Sequence, residues 1–203
     1  MEFAEITGTV VFAISGVFAV AERRLDWFGA IVVGMVTAIG GGTMRDLILG
    51  NTPVFWVDDQ GLVLAALLGS IVAIVLIRLT RRDPGGFEKR LKLADAAGLA
   101  LFAVVGASAT LSLGFDGVIA VLCGLLTGVG GGVIRDLLAG ETPLIMRGEI
   151  YATAALAGLT IFVGLEEWTS LPQAITSAVS MLVIFGLRLA GIRRRWTLPL
   201  VSR

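Results

Sequence analysis

GGGTMRDLILGNTP, residues 40–53, closes an uncharged run that begins at Trp27. The pattern returns ninety positions later as GGGVIRDLLAGETP, residues 130–143, closing a run that begins at Gly117. Each glycine lowers helix propensity by roughly 1 kcal/mol relative to alanine. A charge at the centre of a bilayer costs about 2.5–3.5 kcal/mol on insertion scales. Two apolar segments that both end in three glycines and an Arg-Asp pair therefore carry a feature that needs a reason.

The chain has 203 residues, of which 56% are hydrophobic and only 16% charged. Soluble domains carry about 25% charged residues, so this chain lacks the polar side chains to cover a water-facing surface. The charges cluster and leave seven uncharged windows, 6–21, 27–44, 60–77, 96–115, 117–134, 150–165 and 168–187. Each is close to the roughly 17–25 residues that cross a hydrocarbon core. The composition predicts an all-α integral membrane protein with seven transmembrane helices, forming a single membrane domain over 1–203. Glu2 and Glu5 precede the first window where a cleavable signal would carry basic residues. There is no histidine and one cysteine, Cys123. Metal sites built on His or Cys clusters and triads that need His are excluded, and the zero net charge gives no sign of nucleic-acid binding.

Sliding the chain on itself by ninety residues, without a gap, pairs Phe12-Ala13 with Phe102-Ala103 and Gly16 with Gly106. It also pairs Asp26 with Asp116, Gly34 with Gly124, Thr37 with Thr127, Gly50 with Gly140 and Thr52-Pro53 with Thr142-Pro143. Apolar composition alone does not match Gly, Asp, Arg and Pro in one register. The repeat predicts a first three-helix unit over 3–80, a second over 93–167 and a seventh helix over 168–190. Three spans are an odd number, so the second unit enters from the opposite side, as an inverted repeat. With that count Arg23, Arg24, Arg78, the basic residues of 81–92, Arg147, Arg188, Arg193 to Arg195 and Arg203 all share one side. The other side holds only acids apart from the motif arginines. The positive-inside rule places the basic side in the cytoplasm, with the N-terminus outside and the C-terminus inside.

Two readings of the triplets Gly40, Gly41, Gly42 and Gly130, Gly131, Gly132 stand side by side. In one, helices two and five are broken there and their freed carbonyls line a wet cavity. In the other, small residues let two helices pack closely. Arg45, Asp46, Arg135 and Asp136 lie in a water-filled path or form structural ion pairs. Neighbours on a helix point about 100° apart, so a pairing between the repeats, or with Asp95, Glu5 or a carbonyl, stands beside pairing within each motif. Thr37 and Thr127 could line the path, although bonding back to their own helix is the simpler expectation. Pro53 and Pro143 read as stop signals after the helices. No nucleophile-base pair is evident and the triplets are not Walker or dinucleotide motifs, so an enzyme is not expected.

The doubled GGGxxRD block with its trailing glycine and proline, in a seven-span inverted repeat, resembles the prokaryotic branch of the trimeric intracellular cation (TRIC) channels, a group also labelled glycine transporters. The similarity covers about residues 3–190. It implies a homotrimer in a prokaryotic plasma membrane, with one pore per protomer passing mainly potassium and also sodium. It implies no cofactor and no tightly bound metal beyond the permeant ions. The pore is expected between the first two spans of each unit, with helices two and five kinked at the glycines and Arg45, Asp46, Arg135 and Asp136 near the path. The competing expectation is a secondary transporter of a small solute such as glycine, because inverted repeats are common in transporters.

Overall fold

The computed structural model describes residues 2–23, 25–80, 86–197 and 199. Arg24, Arg81, Arg82 and Arg203, part of the basic side read from sequence, lie outside the described residues. The order of elements is α1 (Glu2–Ala19), α2 (Trp27–Leu49), the single-turn α3 (Phe55–Asp58), α4 (Gln60–Leu79), α5 (Gly86–Ser112), α6 (Gly117–Leu138), a 3₁₀ turn (Leu144–Met146), α7 (Ala152–Trp168) and α8 (Gln173–Arg194). Six of these helices are long and apolar enough to cross a membrane. At 17 residues α7 is slightly shorter, about 25 Å at 1.5 Å per residue. The chain is a multi-pass helical membrane protein.

Repeat partners do the same local work. Asp26 caps α2 by accepting from the Gly29 N–H at 2.7 Å, and Asp116 caps α6 by accepting from Ile119 N–H at 3.0 Å. At the other end Gly50 and Gly140 both sit at φ 69°, the left-handed region where a side chain is strained. The next N–H then closes each helix end: Asn51 donates to the Asp46 carbonyl and Glu141 to the Asp136 carbonyl, both at 2.8 Å. One predicted boundary moves: α5 starts at Gly86, ten residues before its uncharged window. The added turns carry charges that find partners at the aqueous end, such as Lys92 with Glu149 at 2.8 Å.

The glycine triplets do not break their helices. Both α2 and α6 run through them as uninterrupted α-helix, which corrects the expectation of helices two and five broken at GGG. The reason lies in the solvent. Propensity scales describe helices in water, where a freed carbonyl finds a new partner. In hydrocarbon each unsatisfied backbone group costs several kcal/mol, more than the glycines lose. What the glycines supply is proximity. A Cβ at Gly41 would fall inside contact distance of the Thr127 carbonyl oxygen, and one at Gly131 would do the same to the Thr37 carbonyl oxygen. A Cβ at Gly40 would meet Ile134 Cδ1 at 2.8 Å, and one at Gly130 would meet Met44 Sδ at 3.2 Å. Thr37 and Thr127, and Met44 and Ile134, are ninety residues apart, so the contact is reciprocal.

Around this crossing α1, α2, α6 and α5 pack in a ring of neighbours. Gly16 lets α1 approach α2, where an added Cβ would stand 2.6 Å from Thr37 Oγ1. Gly106 lets α5 approach α6 in the same way, at 2.5 Å from Thr127 Oγ1. Phe12 of α1 and Phe102 of α5 stack in the middle with ring centroids 5.2 Å apart, both buried. Helices α4, α7 and α8 flank the ring, and the larger core lies among α5, α6, α7 and α8 around Leu99, Leu159, Phe162 and Ile184.

Gly41→Ala and Gly131→Ala force a methyl against opposing backbone, and overpacking of this kind costs about 1–3 kcal/mol. Thermal unfolding of purified protein is expected to show a clear loss for both. Gly186→Ala, where an added Cβ meets nothing within 4 Å, is expected to leave the midpoint unchanged or raise it slightly.

Candidate functional site: two arginine–aspartate motifs and a charged vestibule

One turn beyond each triplet the Arg-Asp pair is buried. Arg45 is 5% exposed and Asp46 0%; Arg135 is 0% and Asp136 3%. Each pair closes on itself: Arg45 Nε donates to Asp46 Oδ1 at 2.9 Å, and Arg135 Nε donates to Asp136 Oδ1 at 2.8 Å. The second carboxylate oxygen reaches the segment after the helix. Asp46 Oδ2 accepts from the Phe55 N–H at 2.8 Å, at the start of α3. Asp136 Oδ2 accepts from the Leu144 N–H at 2.9 Å, at the start of the 3₁₀ turn. Each aspartate thus neutralises its arginine and pins the following connection. A buried carboxylate needs both, since an unpaired buried charge is expensive.

The two motifs differ in what else they hold. Arg45 stands 5.7 Å from the Phe55 ring centroid and, among the described residues, forms an ion pair with Asp46 alone. Arg135 Nη1 donates to Asp95 Oδ1 and to Ser15 Oγ, each at 2.6 Å. The Tyr151 hydroxyl donates to the same Asp95 oxygen at 3.3 Å. One guanidinium of α6 therefore ties together α1 and α5, and Asp95 extends the tie to Tyr151 at the start of α7. Sequence reasoning named Asp95 as one partner among several and missed Ser15 and Tyr151, which no local spacing marks.

Thr37 and Thr127 are buried, and their hydroxyls donate to the Val33 and Cys123 carbonyls at 2.6 Å. They bond back to their own helices, the simpler of the two sequence readings. The third glycines face different neighbours. A Cβ at Gly42 would meet the Phe55 ring, and one at Gly132 would stand 3.0 Å from the Tyr151 hydroxyl and 3.2 Å from Asp95 Oδ1.

Above the second motif lies a cavity of about 450 Å³ lined by the end of α1, the start of α5 and the α6–α7 connection. Its walls carry Glu22, Glu88, Asp136 and Glu141 against Arg23, Lys92 and Arg147. Arg23 pairs with Glu141 across the mouth. These connections share one face, as the predicted basic side requires. Glu149 stands behind this wall. Burial pushes its carboxyl up, but Lys92 and Arg188 beside it more than offset this and hold it below its ordinary value.

A ring of four helices crossing through paired glycines, with a buried Arg-Asp motif towards either end and a charged vestibule on one face, defines a class of duplicated helical membrane proteins. The model of the family described as "Glycine transporter" matches residues 2–78 and 92–167, and the chain belongs to that family. It is 45% identical over 195 residues, 96% of this chain and 93% of the relative, to the UPF0126 inner membrane protein YadS of Escherichia coli K12. It superposes with TM-score 0.89 and 38% identity on the TRIC trimeric intracellular cation channel orthologue of Rhodobacter sphaeroides, covering 96% and 97% of the two chains. A prokaryotic TRIC channel solved in 0.5 M KCl gives TM-score 0.87 and 31% identity, over 97% and 98%. These solved relatives are ion channels, not enzymes.

The folded protein releases the Glu149 proton more readily than the unfolded chain does. Its pairing therefore stabilises fully above the ordinary value of 4.5, and the gain is lost as pH falls through the depressed value. The melting advantage of wild type over Glu149→Gln is expected to hold above pH 4.5 and to shrink below it.

Proposed function

We propose that this protein is a monovalent cation channel of the plasma membrane, passing mainly potassium, assembled as a homotrimer with one path per protomer. The observation that carries the reading is the near full-length match, at 38% identity, to a TRIC cation channel orthologue. The two family segments, 2–78 and 92–167, support an inverted pair of three-helix units with α8 outside them. The basic face is the cytoplasmic one, with the N-terminus outside and the C-terminus inside.

The charged vestibule is the cytoplasmic mouth. With Asp136 cancelled by Arg135, Glu22, Glu88 and Glu141 face Arg23, Lys92 and Arg147, so each carboxylate removed tips the vestibule against cations. Below it the path meets Asp136, Arg135 and Asp95, then the waist formed by Phe12, Phe102 and the Gly41–Gly131 crossing, and beyond that Arg45 and Asp46. The waist is filled by side chains and touching backbone, so this conformation is shut. Conduction needs the ring of α1, α2, α5 and α6 to loosen beside the crossing, where the glycine faces offer backbone oxygens to a partly dehydrated ion. No cofactor takes part, and the ions pass without a tightly held site.

Purified protein in a planar bilayer with opposed potassium and sodium gradients is expected to give resolved current steps that reverse towards the potassium potential. Saturable glycine uptake without steps would contradict this and favour the transporter named by the family description. Glu22→Gln is expected to lower single-channel conductance at low ionic strength. The difference should fade above about 1 M salt, where the screening length is only ~3 Å.

A further inference from the structure

Helix α8 lies beyond the two matched segments, 2–78 and 92–167, yet it carries one of the largest fully buried side chains of the protein, Arg188. Its Nη1 donates to the Ile150 carbonyl at 2.7 Å. Its guanidinium lies 3.4 Å from Glu149 Oε2 and stands over the Tyr151 ring, 4.7 Å from the centroid. Lys92 of α5 holds the other Glu149 oxygen at 2.8 Å. The Tyr151 hydroxyl bonds Asp95, and Asp95 bonds Arg135. A continuous chain of contacts therefore runs from α8 through the last residues of the α6–α7 connection to the second motif.

Among the described residues the first motif has no such chain. The positions ninety residues before Asp95 and Tyr151 are Glu5 and Gly61, and Gly61 has no side chain to offer. Among the described residues Arg45 forms an ion pair with Asp46 only. The duplicated sequence thus presents two identical Arg-Asp pairs, and the unduplicated helix attaches to one of them.

We propose that Tyr151 and Arg188 are positioning residues for Arg135, so that α8 fixes the motif at the vestibule floor and leaves Arg45 free of that restraint. Several observations converge on this. Asp95 is fully buried, its Oδ1 accepts from Arg135 and Tyr151, and its Oδ2 has no hydrogen-bond partner among the described residues. Losing the Tyr151 hydroxyl leaves the Asp95 carboxylate with Arg135 alone. Arg188 acts one step back. Its stacking and its bond to the Ile150 carbonyl fix the backbone that aims the Tyr151 ring, and its contact with Glu149 links that backbone to α5. The same connection carries Leu144, whose N–H holds Asp136. Freeing it loosens both members of the second motif together. The two motifs then differ in function: the inner one moves only when α8 and the α6–α7 connection move, and the outer one moves with its own helix end.

The inference rests on the channel reading for its functional consequence but not for its structural one, so the test reads both. Tyr151→Phe and Arg188→Gln are reconstituted into lipid nanodiscs beside wild type, and backbone hydrogen–deuterium exchange is followed at 133–147 and 43–57. Tyr151→Phe is expected to speed exchange at 133–147 by about five-fold, the factor for loss of one ordinary buried hydrogen bond, with 43–57 unchanged. In single-channel records it is expected to change mean open time while conductance stays the same, a split that general loss of stability does not produce. Unchanged exchange at 133–147, or an equal rise at both motifs, overturns the proposal. If Arg188→Gln does not fold, Tyr151→Phe, which removes one hydroxyl, still decides it. A wild type that passes no current while exchange rises only at 133–147 refutes the channel and leaves the positioning role established.

Discussion

Everything in the membrane part of this protein is arranged around one contact, the approach of the α2 and α6 backbones at Gly41 and Gly131. Lipid tails are as apolar as leucine, so helices in a bilayer gain little from hiding apolar surface and rely on close packing instead. A glycine at each crossing point lets each helix take the other's carbonyl, that of Thr127 or Thr37, where a Cβ would stand. The same device recurs between α1 and α2 at Gly16 and between α5 and α6 at Gly106. Repeated symmetrically, it draws four helices into a ring narrow enough for Phe12 and Phe102 to fill.

The ring fixes where charge can go. With the helices this close, the arginines one turn further along must be neutralised within reach, and the adjacent aspartates do it. Each aspartate then has one oxygen left, which ties down the chain as it leaves the helix. The motif therefore works as a terminus: glycines to approach, an arginine and aspartate to cancel charge, and a left-handed glycine at 50 or 140 to end the helix. Asymmetry enters through α8. Arg188, Tyr151, Glu149 and Asp95 bind the second motif into a buried network, while the first, among the described residues, keeps its own pair, the Phe55 N–H and ring, and the Asn51 amide.

Much of this was legible in the sequence. The ninety-residue register marked matched pairs, and these became matched N-caps at Asp26 and Asp116, matched helix ends at Gly50 and Gly140, and matched back-bonds at Thr37 and Thr127. Those features depend on neighbours within a few residues, which a single sequence displays. Breaks at the triplets needed a wet cavity to satisfy the freed carbonyls, and backbone contact fills the crossing of α2 and α6 instead, so the close-packing reading of the glycines is the one the structure follows. The network at Arg135 stayed largely hidden because Ser15, Asp95, Tyr151 and Arg188 meet only through tertiary packing. Arg188 was visible as a charge at the end of an apolar window, but membrane topology alone was enough to account for it.

The most direct test of the central contact is an experimental density map of the protein in lipid nanodiscs in potassium buffer, with no applied potential. The account predicts unbroken helices at 27–49 and 117–138 whose backbones touch at Gly41 and Gly131, with neither lipid nor water between them. Helices opened at the triplets, with a column of water separating them at that level, would contradict it.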